Sequence, residues 1–365
     1  IQHQVSRGLL TSYIFANQPR LELADRLIEV APPGLDKVAL FCTGSEAVEC
    51  CLKSALTYSL NRFGPRKKHV VGFHNGFHGR TMGAQLAGGI DSQKEWIPVD
   101  RSPYLLAPYP DGLFGTPPTF DVFLDVIERS GIEAKDISAV ILEPYQGGIV
   151  KLAPTQYVQK LRCWCDENDV VLIFDEVQSG FGRTGRLWGH EHYGVTPDLI
   201  ACGKGLSCSL PISAAIGRAD VLDLFKPGAM STTHSGNPLS CAAALAALNA
   251  LLDEGYISKA KEIELVLSAF FESQKTKPWR NAIHYMGAAG AVGAIMLRQE
   301  SASVAQLIVE NAVAKGALLF NPVGPWGSTI KLCPPLCIDE NDLRIGLEII
   351  EEAIEESFNV GRKYQ

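Results

Sequence analysis

Up to about residue 254, short apolar runs alternate with stretches of helical periodicity. Val38–Phe41, His69–Phe73, Ile137–Leu142, Val170–Phe174 and Leu199–Cys202 read as strands. Val170–Phe174 is apolar at every position, as expected of a parallel strand covered on both faces. After Pro211-Ile212 a further strand ends at Gly217. Between these runs, Gln18–Val30 carries Leu21, Leu23, Ala24, Leu27 and Ile28 on one helical side, opens with Pro19 and stops at Pro32-Pro33-Gly34. Further helices are predicted from Thr43-Gly44-Ser45-Glu46-Ala47 to about Leu60, over Phe120–Arg129 and Gln156–Asn168, and from Pro238 to about Glu254. Trp96–Thr119 is rich in Pro and Gly and has no period, so it reads as a long surface excursion.

The pattern changes after about Gly255. Lys259–Glu272 is a charged amphipathic helix, and Ala291–Leu297, Ala317–Asn321 and Thr329–Cys333 read as strands. A last helix is N-capped by Asp339, with Asp342 in a capping-box-like position. The expectation is an α/β fold: a large domain over 1–254, its mainly parallel sheet flanked by helices, and a smaller α+β domain over 255–365.

Composition narrows the function classes. The 365 residues carry a net charge of −7, which argues against a general nucleic-acid or membrane surface. The longest apolar stretch, near Cys241–Leu252, is interrupted by Asn249 and falls short of the ~20 residues that span a bilayer. Ten cysteines without a CxxC do not form a disulfide framework and point to a reducing, cytoplasmic compartment.

The chemistry gathers where two strands end. Val170–Phe174 runs into Asp175-Glu176, and Leu199–Cys202 runs into Gly203-Lys204-Gly205. In a doubly wound sheet, ligands sit at the carboxyl ends of the strands, so Asp175 and Lys204 are expected to face one crevice. A carboxylate at the end of a buried strand needs a cationic or protonated partner. Pyridoxal phosphate wants both groups: a lysine amine that bonds its aldehyde carbon and an acid beside its pyridinium nitrogen.

FDEVQSGFGRTG followed by GKG, with the lysine 29 positions after Asp175 (204 − 175), resembles the class III aminotransferases, among them the 4-aminobutyrate, acetylornithine and ω-amino-acid enzymes. The resemblance runs over essentially the whole chain. It implies a fold type I pyridoxal-phosphate enzyme that moves an amino group from an amino acid or ω-amine to a 2-oxo acid. It implies Lys204 as covalent anchor and general base, Asp175 at the ring nitrogen and Gln178 at the phenolic oxygen. The Thr43–Glu49 turn matches the family's TGSEA(V/N)E, whose Gly44 and Ser45 then hold the phosphate, as a helix N-terminus can. An ordinary helix cap at Ser45 is the plain alternative. Phe77 is implied to stack on the ring, and Arg80 to meet a substrate carboxylate.

Thr233 opens a string ending in Gly236-Asn237-Pro238 that, in the family, reaches the neighbouring subunit's phosphate, which implies a homodimer with Thr233 acting in trans. His234 and Ser235 depart from the family's residues. So does EPYQGGIV, where relatives read EPxQGEGG: Gly148 stands for a glutamate and Lys331 near its partner arginine, putting 2-oxoglutarate as acceptor in question. Relatives also carry a segment ahead of Ile1 that helps to build the small domain.

Rival motifs fail. Asp198 and Gly205 break a phosphate-binding P-loop around Lys204, and Gly287, Gly290 and Gly293 do not spell a dinucleotide turn. His190-Glu191-His192 is not HExxH and is expected on a loop; His74 and His78 have no further ligand at zinc spacing, so no metal is expected. Two functional alternatives stand beside amino transfer: a racemase, epimerase or aminomutase of the same fold, and a non-catalytic truncated homologue.

Overall fold

The structure is a computed structural model that describes residues 1–115 and 118–361. The apolar runs predicted ahead of residue 254 all enter one sheet. Its strands are β1 (Lys37–Phe41), β2 (His69–Phe73), β3 (Tyr104–Ala107) and β4 (Ile137–Leu142). A two-stranded ribbon follows, β5 (Tyr145–Gln146) and β6 (Lys151–Leu152), and then β7 (Val171–Asp175), β8 (Leu199–Cys202) and β9 (Ser213–Gly217) complete the sheet. The order is β1-β9-β8-β7-β4-β2-β3, and only β9 runs against the rest.

Both faces of the sheet are covered, which is why its central strands are predominantly apolar. In β8, Leu199 and Ala201 pack towards one layer and Ile200 and Cys202 towards the other. In β7, Val171 and Ile173 alternate with Leu172 and Phe174 in the same way. The helix Gly44–Phe63 lies on the first face and buries Ala47, Val48, Cys51, Leu52 and Ala55, a helical spacing. Helices Gln18–Glu29 and Pro238–Asp253 cover the other face under β8 and β9 through Leu23, Leu27, Ala244 and Leu248.

Three expectations need correction. The excursion Trp96–Thr119 contains β3, which extends the sheet edge beside β2: its backbone pairs with β2 although its apolar run is short. Ala317–Asn321 is not a strand. Both edges of β11 (Gly293–Leu297) are taken, by β10 (Ile283–Ala288) and β12 (Thr329–Leu332), and Leu318 and Phe320 stay 92% and 62% exposed. His190–His192 lie in a short 3-10 turn, Gly189–Tyr193, rather than in an irregular loop.

The antiparallel sheet β10-β11-β12 and helices Tyr256–Gln274, Ala302–Ala314 and Glu340–Gly361 share their own core around Ile263, Leu267, Ile295, Leu297, Ile308 and Leu347. The Asp339 carboxylate accepts from the N–H of Asn341 at the entry to the last helix, as expected of its cap. Arg183 ties this unit to the first: its guanidinium donates to the carbonyls of Ala291 (2.7 Å) and Pro334 (2.6 Å).

Candidate active site

Because β1, β2, β4, β7 and β8 are mutually parallel, the segments that follow them emerge along one edge. Asp175 is paired in register with Ala201, so Lys204 leaves β8 beside it. Lys204 has φ +34°, an unfavourable conformation for a residue with a Cβ, and it heads a single 3-10 turn. Gly203 lets that turn come close: a Cβ there would lie 3.3 Å from Ser213 Cβ and 3.7 Å from Gly44 Cα.

The two carboxylates after β7 each find a histidine. Asp175 is buried, and its Oδ2 lies 2.8 Å from His78 Nδ1 while its Oδ1 accepts from Val177 N. Burial disfavours charge on His78, but the hydrogen bond and negative charge of Asp175 outweigh it and hold the imidazole above its usual pKa. Glu176, fully buried, lies 2.9 Å from His190 Nδ1 and accepts from the N–H groups of Gly189 and His190. Burial would raise its pKa, yet these bonds pull it below the ordinary carboxylate value. Glu176 is thus a structural brace, while Asp175 is the buried acid at the end of β7, paired in register with β8.

Sequence reasoning did not anticipate Glu143 or the role of His78. Glu143 follows β4, the strand paired with β7, just as Asp175 ends β7. An apolar run ending on a carboxylate was the available signal. Glu143 accepts from Phe77 N and Gly147 N and is pushed up to about 6, by burial first, against the nearby His78 and with Asp175 adding repulsion. The folded chain therefore holds this proton to higher pH than the unfolded one does. The stability this contributes is complete below about pH 4.5 and is lost as the pH rises through about 6. Glu143→Gln is expected to remove about 2 kcal/mol of pH dependence. Urea midpoints of both proteins across that window test it; parallel curves would contradict a proton held on Glu143.

At the start of the helix Gly44–Phe63 the cap is Thr43, not Ser45. Thr43 Oγ1 accepts from Glu46 N, and the Glu46 carboxylate accepts from Thr43 N (2.8 Å) and Cys42 N. This capping box leaves the N–H groups of Gly44 and Ser45 without acceptors among the described residues, at the positive end of a 20-residue helix. The Ser45 hydroxyl takes the N–H of Arg80 at 3.1 Å. Gly79 (φ +134°) makes that possible, since a Cβ there would strike Ser45 Oγ at 2.3 Å.

Phe77 is partly exposed, with the exposed Arg80 guanidinium 5.7 Å from its ring. Gln178 lies between Glu143 and Lys331: its Nε2 donates to Glu143 Oε1 (3.4 Å), and its Oε1 accepts from Lys331 Nζ (2.6 Å). Burial lowers the pKa of Lys331, and the nearby charges of Lys204 and Arg183 add to this, against Cys333 and Glu143. Thr233 is exposed and away from this cluster's hydrogen bonds. Its loop is held by Arg20, which donates to the carbonyls of Gly236 and Ser235 and to those of Phe15 and Tyr13.

These groups fit pyridoxal phosphate by their chemistry: free N–H donors at a helix start for a dianion, an aromatic face, a buried acid on a strand end and an amine across from it. The fold and the site define a pyridoxal-phosphate-dependent transferase of fold type I. The family model "Aminotransferase class-III" matches residues 1–354. The acetylornithine/succinyldiaminopimelate aminotransferase of Yersinia pestis is 32% identical over 345 residues, covering 94% of this chain and 80% of that protein. The 5-aminovalerate aminotransferase of Pseudomonas putida is 32% identical over 366 residues, covering 98% and 84%. Among solved structures, the ω-transaminase of Pseudomonas jessenii in complex with PMP superposes with a TM-score of 0.87 at 25% identity, covering 98% of this chain and 84% of that one. The ornithine aminotransferase of Toxoplasma gondii gives 0.85 at 28%, covering 99% and 82%. The chain belongs to the class III aminotransferases, enzymes that use pyridoxal phosphate to move an amino group between an amino donor and a 2-oxo acid. No helix among the described residues is long and apolar enough to cross a membrane.

Proposed function

We propose that this chain transfers the amino group of an ω-amine or amino acid to a 2-oxo acid with Lys204 and Asp175 as its catalytic residues. The observation that carries the reading is their placement: a strained lysine and a buried acid at the ends of the adjacent parallel strands β8 and β7. When bound, pyridoxal phosphate supplies an electrophilic carbon for the amine and a ring that withdraws electrons from the reacting carbon. Lys204 would anchor the cofactor through its amine, and that amine, once free, would act as the general base that takes the proton from the amine-bearing carbon of the substrate. Asp175, steadied by His78, holds a proton on the ring nitrogen. Gly44 and Ser45 bind the phosphate, Phe77 covers the ring and Gln178 donates to the phenolic oxygen. Arg80 and Lys331 are the groups for substrate carboxylates.

Relatives named for acetylornithine, 5-aminovalerate and 4-aminobutyrate support a donor whose amine is remote from its carboxylate. Borohydride treatment followed by peptide mapping should place the reduced cofactor on Lys204. Net transfer should stop when the 2-oxo acid is omitted; continued conversion of the amine substrate without it would instead favour a racemase or mutase.

We further propose that residues 255–365 form the smaller domain, that the enzyme works in the cytoplasm, and that it is a homodimer in which Thr233 of each chain completes the phosphate site of the other. An exposed threonine on a loop braced by Arg20 suits that role. Binding and association then stabilise each other. Thr233→Ala is expected to weaken cofactor retention about tenfold, the worth of one charge-assisted hydrogen bond, and to shift dimer to monomer on dilution. Sedimentation of apo and holo protein tests this; a fully loaded, active monomer would refute the shared site.

A further inference from the structure

Three buried polar groups stand in a row: Asp175 at the end of β7, His78 in the segment after β2, and Glu143 after β4. None is more than 4% exposed. Asp175 Oδ2 holds His78 Nδ1 at 2.8 Å, while His78 Nε2 is buried and has no partner among the described residues. Glu143 lies on that other side of the imidazole. A Cβ on Gly76 would lie 3.4 Å from His78 Nε2 and 3.9 Å from Glu143 Oε2, so the two atoms flank one point where glycine puts no side chain between them.

Glu143 is furnished for a negative charge. Phe77 N and Gly147 N donate to its two oxygens at 3.0 Å each, and Gln178 Nε2 donates at 3.4 Å. Such donors favour the ionised carboxylate, and burial opposes it. Burial wins, and Glu143 is pushed up to about 6. The other titratable groups around Glu143 are Asp175, Tyr109, Tyr145 and Lys331. His78 faces Asp175, Glu143 and Lys94, and Asp175 also faces Cys51 and Cys202. Burial pushes both tyrosines and both thiols up, so all four stay neutral. The two ammonium groups are held elsewhere, Lys94 on the carbonyls of Leu86 and Gly88 and Lys331 on Gln178. Glu143 is therefore the carboxyl of this cluster whose charge changes around pH 6.

Resting on the reading of Asp175 at the ring nitrogen, we propose that Glu143 is a positioning residue, the second carboxylate of the row, which ionises when a protonated ring nitrogen arrives at Asp175. Two protonated nitrogens, on His78 and on the ring, then face two carboxylates. With Glu143 neutral they would share one, and a buried cation would lack its counter-charge. The O–H bond of Glu143 breaks. Its proton forms an N–H bond on the ring nitrogen, or passes to solvent water when the ring arrives already protonated. Cofactor retention and ionisation of Glu143 thus favour each other, as linkage requires. Glu143 holds its proton to higher pH without the cofactor than with it. Its contribution to binding is therefore complete above about pH 6 and is lost as the pH falls below that value.

The test titrates the whole chain with pyridoxal phosphate from about pH 7.5 to about pH 5, beside an analogue that carries C–H in place of the ring nitrogen. Below about pH 6, wild type is expected to lose about tenfold more affinity per pH unit for pyridoxal phosphate than for the analogue, which brings no proton to Asp175. Glu143→Gln cannot ionise and should lose that excess. Histidine-selective nitrogen NMR of the cofactor-free protein should show the His78 signals stepping near pH 6 in wild type and not in Glu143→Gln. A merely structural role for Glu143 would produce neither difference. Equal pH dependence for the two ligands in wild type would overturn the proposal, and so would a Glu143→Gln protein that keeps the excess. If that variant does not fold, the wild-type comparison of the two ligands decides alone. A wild-type protein with no borohydride-reducible band would instead sink the reading of the site itself.

Discussion

Lys204→Ala is expected to lower turnover by at least about 10^4-fold while leaving the fold in place. One amine serves as both anchor and base, so its removal takes both functions at once. The substitution is also a clean one for the backbone. Lys204 sits at φ +34°, and alanine keeps the Cβ that makes this unfavourable, so the strain neither grows nor relaxes. Lys204→Gly, by contrast, should be more stable than Lys204→Ala by roughly 1 kcal/mol, because glycine adopts that region freely. Single-turnover rates and thermal melts of the purified variants test both statements. Retention of most activity in Lys204→Ala would end the assignment of this lysine.

Asp175→Asn should cost about 10^3-fold or more in rate while pyridoxal phosphate still binds, because the phosphate and aromatic contacts lie elsewhere. The amide has the shape of the carboxylate but not its charge. It cannot hold a proton on the ring nitrogen, and it leaves His78 without the negative charge that keeps the imidazole above its usual pKa. His78 Nε2 has no partner among the described residues, so the ring relies on Asp175 for its polar contact. A stability loss of about 3 kcal/mol is expected with the rate loss, as when one partner of a buried ionic pair is removed. Cofactor titration beside kinetics separates the two effects: near-normal rates would show that some other group protonates the ring, and loss of cofactor binding would make Asp175 a structural residue first.

The strands were legible because a sheet covered on both faces leaves no polar alternation to confuse. His69–Phe73, Ile137–Leu142 and Leu199–Cys202 are bounded as their apolar runs suggested. The segment Ala317–Asn321 has a similar composition but pairs with no strand, and its Leu318 and Phe320 stay exposed while Ala317 and Leu319 pack on the core, since strand formation depends on tertiary context as much as on residue type. The missed β3 is the converse, a short run given strand geometry by β2. At the site, Asp175 and Lys204 could be read from their places after two apolar runs. Glu143 carries the same mark, directly after β4. His78 carries no such mark, because nothing local to it announces an acid 97 residues away.

Most of the buried strands, the places of the acid and the lysine along the chain, and the enzyme family of those motifs are all written in the linear chain. These are properties of local pattern, and burial periodicity writes them into consecutive residues. The partners were chosen by folding. Asp175 with His78, Glu176 with His190, Thr43 rather than Ser45 as the cap, and Lys331 on Gln178 across 153 positions are choices among polar groups that only a closed, desolvated site forces to pair. The surroundings of Gly148 belong to that second class as well. One glycine in a sequence says nothing of what fills its space, and here it is the backbone of Gly324, brought there by the packing of a distant segment.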